Sequence, residues 1–154
     1  MKIPKVISNI AIAEGTGFTA GLITSKSVNT WYSKLKKPSF NPPSGVFWPV
    51  WTTLYALMGI SSYLIGKKSQ KDQKLPLFVY SIQLALNFLW TVIFFGFRSP
   101  AFAFFELILL WCAIVLTIVL FWRLSVKAGL MLLPYILWVS FAAVLNFVIW
   151  RKNR

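Results

Sequence analysis

The sequence predicts an all-α integral membrane protein, a five-transmembrane-helix bundle with a structured proline- and tryptophan-rich first loop. Three observations predict it. The 154-residue chain is 58% hydrophobic and only 12% charged, about half the charge usual in a soluble domain. Five apolar runs, Val6–Ser25, Val46–Ile65, Leu77–Phe97, Ala101–Trp122 and Leu130–Trp150, each hold 20 to 22 residues, enough at about 1.5 Å per residue to cross a hydrocarbon core of about 30 Å. No alternating segments of barrel-strand length are visible, so helices must satisfy the backbone within lipid. A chain this short has room for one domain, taken as 1–154.

The first run could be mistaken for an export leader, with Lys2 and Lys5 ahead of it and Ala11-Ile12-Ala13 resembling a cleavage site. Pro4, Ser8 and Asn9 break its apolar stretch and Glu14 follows at once, so a retained first helix is expected. Gly17 and Gly21 form a G-x-x-x-G pair that permits close helix approach, either inside the bundle or between two chains. Glu14 falls near mid-span, where an ionised acid costs on the order of 3 kcal/mol, so it is expected to face protein, bonded to a polar partner or protonated.

Between the first two runs, Pro38, Pro42, Pro43 and Pro49 fix φ and bias Lys37, Asn41 and Trp48 toward extended backbone, which stiffens the loop. Stiffness with Trp31, Tyr32 and Trp48 suits either a lid over a cavity or an aromatic belt at the membrane interface. Within the spans, polar residues recur on single helical faces: Trp48, Trp51 and Tyr55 in the second, Tyr80, Gln83, Asn87 and Trp90 in the third, Tyr135, Trp138, Ala142 and Asn146 in the fifth. A carboxamide facing lipid has nothing to bond to, so Gln83, Asn87 and Asn146 are expected to point inward. They either bond between helices or, as three aromatic-plus-amide faces in one bundle, line a pocket.

The net charge of +13 does not indicate nucleic acid, because every Lys and Arg falls in a loop, a tail or a helix end, the placement of anchors on an anionic membrane. Lys2, Lys5, Lys67, Lys68, Lys71, Lys74, Arg123 and Lys127 lie on the amino-terminal side. Lys26, Lys34, Lys36, Lys37, Arg98, Arg151, Lys152 and Arg154 lie on the other, so the positive-inside rule does not choose an orientation. A single thiol (Cys112), no histidine and three carboxylates exclude an internal disulfide and argue against a structural zinc or di-iron site, so no metal is expected. The same poverty leaves no acid–base or nucleophilic catalyst in view.

The ordered motifs Trp31-Tyr32-x-x-Leu35-x-Lys37-Pro38-Ser39-Phe40-x-Pro42-Pro43, Pro49-Val50-Trp51-x-x-Leu54-Tyr55, Gln83-Leu84-x-Leu86-Asn87-x-x-Trp90, Phe94-Phe95-Gly96, Pro134-Tyr135-x-x-Trp138-x-x-Phe141-Ala142-x-x-Leu145-Asn146 and Trp150-Arg151 resemble the tryptophan-rich sensory protein family, whose animal members are the translocator protein or peripheral benzodiazepine receptor. The matches run in order from about Trp31 to Arg151. The resemblance implies a membrane homodimer that binds porphyrins such as protoporphyrin IX, with no tightly bound cofactor, in a cavity capped by the first loop. Carried over by motif, Tyr32, Pro42, Trp51, Tyr55, Asn87, Trp90, Trp138 and Ala142 would line it. Some bacterial members promote light-dependent porphyrin breakdown, which would give Trp51 and Trp138 a catalytic part, since an excited porphyrin supplies its own reactivity and needs only to be held.

Two departures matter. Phe40 stands where the family usually has Trp, which removes an indole N–H. Phe147 and Val148 leave Val144–Arg151 without the tyrosine that the animal cholesterol motif requires, so sterol binding is not carried over. The implied function is a tetrapyrrole sensor or regulator in a membrane, with the bacterial cytoplasmic membrane as the expected location. The alternatives are a light-assisted porphyrin degrader using the same pocket, or a transporter or export modulator. Against transport, the sequence has neither internal repeats nor paired broken helices.

Overall fold

A computed structural model of the chain describes residues 4–154, so the expectation for Lys2 lies outside them. Regular structure among those residues is helical throughout: α1 (Lys5–Val28), a 3-10 turn (Tyr32–Lys34), α2 (Ser44–Gly66), α3 (Gln70–Thr91), a π-helical turn (Val92–Gly96), α4 (Pro100–Leu124), α5 (Val126–Met131) and α6 (Leu133–Lys152). α1 packs along α2, α3 along α4 and α4 along α6, and α5 closes the ring against α2. Side chains such as Phe18, Phe78, Phe97, Phe102 and Leu137 stay exposed on the outside. That surface suits hydrocarbon, not water.

Three ends of the expected spans move, each for a local reason. α3 starts at Gln70 rather than Leu77 because Ser69 caps it, accepting from the Asp72 amide at 3.2 Å, so the polar stretch before the apolar run is already helical. The third span ends in a widened turn, with Phe97 N–H donating to Val92 O at 2.9 Å. The Phe95 carbonyl is taken by the Ser27 hydroxyl of α1 at 2.7 Å, and Arg98 at φ 54° turns the chain into α4. The fifth run begins within α5 and breaks at Leu132, because Pro134 has no N–H to donate back along the helix.

Among the described residues, four stretches are long and apolar enough to cross a membrane: Lys5–Val28, Gln70–Gly96, Pro100–Leu124 and Val126–Lys152. α2 has the length, at 23 residues, but not the same apolarity, since indoles and the hydroxyls of Thr52, Thr53, Tyr55, Ser61 and Ser62 take up much of it. Three of those hydroxyls, on Tyr55, Ser61 and Ser62, have inward uses. Ser61 bonds Ala128 O of α5 at 2.8 Å and Ser62 bonds Asn9 Oδ1 of α1 at 2.9 Å.

The G-x-x-x-G pair splits in function. A Cβ at Gly17 would collide with the Tyr55 ring of α2, whereas one at Gly21 would meet nothing within 4 Å. Gly17 therefore serves close packing inside the bundle. A glycine absent from that motif, Gly59, carries a second close approach of α2 to α1, against the Ile10 backbone.

Candidate functional site

The inward-facing amides are buried as expected, with Gln83, Asn87 and Asn146 exposed by 1%, 3% and 2%, and they are bonded between helices. Tyr55 Oη donates to Asn87 Oδ1 at 2.6 Å, Asn87 Nδ2 donates to Tyr135 Oη at 2.7 Å, and Tyr135 Oη donates to Gln83 Oε1 at 2.8 Å. This directed chain ties α2, α3 and α6 together at the centre of the bundle. With both ends of its amide committed, Asn87 is a brace for two tyrosines. A second brace runs from Trp90 Nε1 to Asn146 Oδ1 at 3.1 Å and from Asn146 Nδ2 to Pro100 O at 2.7 Å. Glu14 is half-buried beside Tyr55 and makes no side-chain hydrogen bond among the described residues.

Seven of the eight residues picked from sequence fall into three neighbourhoods, and the eighth, Pro42, lies half-buried in the first loop with its carbonyl accepting from Asn41 Nδ2. Tyr55, Asn87 and the inner face of Trp51 belong to the central chain, the Trp51 ring lying 5.6 Å from Tyr55 and 6.4 Å from Tyr135. Trp90 and Tyr32 belong to an aromatic cluster on the π-helical turn, where Trp90 stacks on Phe94 at 5.1 Å and Tyr32 sits 5.6 Å from Phe95. Trp138 lines a groove of about 530 Å³ between α2 and α6, whose walls are Pro49, Val50, Thr53, Leu54, Pro134, Leu137 and Phe141. Ala142 is half-buried and does not line that groove, and its neighbour Ala143 packs against the main core.

Two of the groove's lining residues are aromatic, Trp138 and Phe141, and rings from the loop and α2 back them. Phe47 of α2 meets Trp138 edge-on at 5.9 Å, Trp138 meets Phe141 at 5.5 Å, and Phe40 of the loop lies 6.2 Å from Phe141. The Trp138 Nε1 is buried and has no hydrogen-bond partner among the described residues.

The first loop is tied down at both ends. Tyr32 Oη donates to Asn41 Oδ1 at 3.1 Å, next to Pro42, and Lys37 Nζ rests 4.6 Å over the Tyr32 ring. Burial raises the Tyr32 hydroxyl above its ordinary value near 10.0. At the far side Asn153 holds the loop backbone in both directions, accepting from Lys36 N at 3.0 Å and donating to Lys36 O at 2.9 Å. The first loop and the carboxyl end thus share one end of the bundle. Asn153 carried no signal in the sequence, because a lone polar residue in a basic tail reads as solvated.

Comparison with known proteins places this architecture. The model of the TspO/MBR family matches residues 9–151. The chain is 40% identical over 153 residues to the tryptophan-rich protein TspO of Archaeoglobus fulgidus, covering 99% of both chains. It is 42% identical over 126 residues to the translocator protein of Homo sapiens, covering 80% of this chain and 75% of the relative. It is 37% identical over 123 residues to the tryptophan-rich sensory protein of Cereibacter sphaeroides, covering 80% and 77%. The ordered motifs, the apolar spans and these matches agree, and the chain is an integral membrane protein that belongs to the TspO/MBR family.

Proposed function

We infer that the chain is a membrane sensor or regulator that binds a flat tetrapyrrole such as protoporphyrin IX in the α2–α6 groove. It works as a single five-span domain and as a homodimer in a bacterial cytoplasmic membrane, with α2 as the fifth crossing. The observation that carries the reading is the pair Trp138 and Phe141 on the wall of a groove of about 530 Å³, backed by Phe47 and Phe40. A planar macrocycle wants aromatic faces for stacking and a few donors for orientation, and the volume falls within the usual range of small-molecule sites. The loop acts as the lid, with Phe40 at the mouth and the Asn153 bonds to Lys36 as its latch.

Titration of protoporphyrin IX into the purified full chain, followed by the porphyrin absorption band and tryptophan quenching, tests this. Saturable binding weakened by Trp138→Phe and Phe40→Ala, and unchanged by Trp111→Phe, is expected. Binding that is absent, or equally affected by all three, refutes it.

A second reading, light-assisted porphyrin breakdown, is favoured by the contact of Trp51 with Tyr55 and Tyr135, which places oxidisable rings in series behind the groove. At matched occupancy and in oxygen, illuminated porphyrin should bleach more slowly in Trp51→Phe and Trp138→Phe, with Trp111→Phe as the control. Equal bleaching in all variants leaves the indoles as walls and the sensor reading alone.

A further inference from the structure

The α2–α6 groove is closed at its two ends and open along its side. α2 packs on α1 and α5 but not along α6, and α2 reaches α6 through side chains, Phe47 on Trp138 and Trp51 on Tyr135. At the loop end Phe40 lies on Phe141, and Asn153 holds both backbone groups of Lys36. At the other end α5 joins α2, with Ser61 bonded to Ala128 O at 2.8 Å.

Between those closures, floor and rim differ in exposure. Leu54 is buried, and Val50, Trp138 and Phe141 are half-buried. Pro49 and Thr53 on one rim and Pro134 and Leu137 on the other are exposed, Leu137 by 70%. Leu137 lies near the middle of the Val126–Lys152 span, so the side that these residues bound faces hydrocarbon and not water.

The exposed rim is also where the helices are weakest. Pro49 lies inside α2 and has no N–H for the Gly45 carbonyl one turn back. Thr53 Oγ1 donates to Pro49 O at 2.9 Å, a back-bond of the kind that loosens and bends helices. On the facing wall Pro134 follows the break at Leu132. Phe47, which leans on Trp138, sits on the short stretch of α2 ahead of Pro49. A small bend at Pro49 parts the two rings and widens the slot.

The rim carries no charge, and its one hydroxyl, on Thr53, is spent on Pro49 O. Such an opening admits an apolar face and rejects a hydrated ion. A flat macrocycle dissolved in the bilayer meets the slot edge-on, already out of water. Entry past the loop would instead break the Asn153 bonds and the Phe40–Phe141 contact.

We propose that the ligand of the α2–α6 groove enters sideways from the hydrocarbon, between Pro49 and Thr53 on one rim and Pro134 and Leu137 on the other, while the first loop stays latched. The proposal rests on the tetrapyrrole reading of this groove and adds its route. Leu137 sets how fast the ligand passes, not how tightly it is held.

The test mixes protoporphyrin IX with the full chain in phospholipid nanodiscs and follows the porphyrin absorption band by stopped flow and at equilibrium. In Leu137→Trp association and dissociation both slow roughly tenfold, within the range that such rates span among variants of one site, and Kd moves less than about threefold. Leu137→Ala speeds both rates roughly threefold. Leu137 is 70% exposed, so neither change disturbs the core. Ala85→Trp fills a second groove, of about 800 Å³ between α1 and α3 on another face of the bundle, and leaves both rates as they were. Rates that ignore Leu137→Trp, or fall as far in Ala85→Trp, overturn the route and leave the binding site standing. Faster association in Asn153→Ala moves the entrance to the loop end and also overturns it. So does a Leu137→Trp effect confined to faster dissociation, which makes Leu137 a wall of the site. A parent chain with no saturable binding removes the tetrapyrrole reading itself, and the route with it.

Discussion

Gly17→Ala should destabilise the bundle, and the structure sets the size of the effect. An ideal Cβ at position 17 would stand 3.1 Å from Tyr55 Cζ and closer still to Cδ2 and Cε2, against an ordinary carbon contact of about 3.5–4.0 Å. The ring must retreat by about 1 Å. Tyr55 is 4% exposed, with Trp51 packed on it at 5.6 Å, so it has little room to do so. Its hydroxyl is 2.6 Å from Asn87 Oδ1, and the same retreat stretches that bond to about 3.6 Å, beyond hydrogen-bond range. Overpacking costs typically 1–3 kcal/mol and a lost bond between membrane helices about 0.6 kcal/mol more, for a total of ~2–4 kcal/mol. Gly21→Ala is the matched control, since its Cβ would meet nothing within 4 Å, and any gain in helix propensity is common to both variants. Thermal unfolding of purified protein in detergent should show Gly17→Ala melting on the order of 10 °C below Gly21→Ala, at a few degrees per kcal/mol for a chain of this size. Adding Tyr55→Leu should shrink the penalty of the alanine, as expected of two residues in contact. If Gly17→Ala and Gly21→Ala melt together, the close approach of α1 to Tyr55 is not what holds these helices.

Three further outcomes follow from the same contacts. Tyr135→Phe strands both Asn87 Nδ2 and Gln83 Oε1 in the core and should cost about 1–3 kcal/mol. Ser140→Ala, which removes the exposed bond from Trp111 and a bond within α6 to Ile136 O, should cost under about 1 kcal/mol, and equal melting temperatures would remove the central chain as a stabilising feature. Asn153→Ala cuts both bonds to Lys36, so hydrogen exchange should accelerate across 33–47 while the melting temperature barely moves. Exchange unchanged in that segment means the loop is held elsewhere. Tyr32 is raised by burial above its ordinary value near 10.0, so its contribution is complete below pH 10 and is lost as pH climbs past it. Alkaline conditions should therefore loosen the loop, read by tyrosine ionisation together with proteolysis, and Tyr32→Phe should abolish that loosening. A variant that loosens as readily as the parent would assign the effect to another group.

The sequence by itself determined the class of the molecule, the placement of its apolar helices and the inward direction of Gln83, Asn87 and Asn146. It put Trp48 on the same face as Trp51 and Tyr55, where the structure leaves it 76% exposed. Class, placement and the direction of the amides are one-dimensional properties. A run of about twenty apolar residues must be helical in hydrocarbon because no water is there to satisfy its backbone, and an amide in such a run must turn toward protein for the same reason. Only the tertiary structure decided what the inward residues meet. Asn87 and Asn146 could serve as a pocket wall or as braces, and the choice rests on the 2.6–3.1 Å bonds they make with Tyr55, Tyr135, Trp90 and Pro100. Gly17 and Gly21 are alike in sequence, and one packs on Tyr55 while the other faces open space, because the crossing of α1 over α2 selects a single point of closest approach. The latch from Asn153 to Lys36 joins segments 117 residues apart, and the grooves flanking α2 and α3 are differences between neighbouring helix separations. Periodicity within one helix reports which face is buried. It holds no information about the distance to the next helix, which is set by how side chains from different parts of the chain interlock.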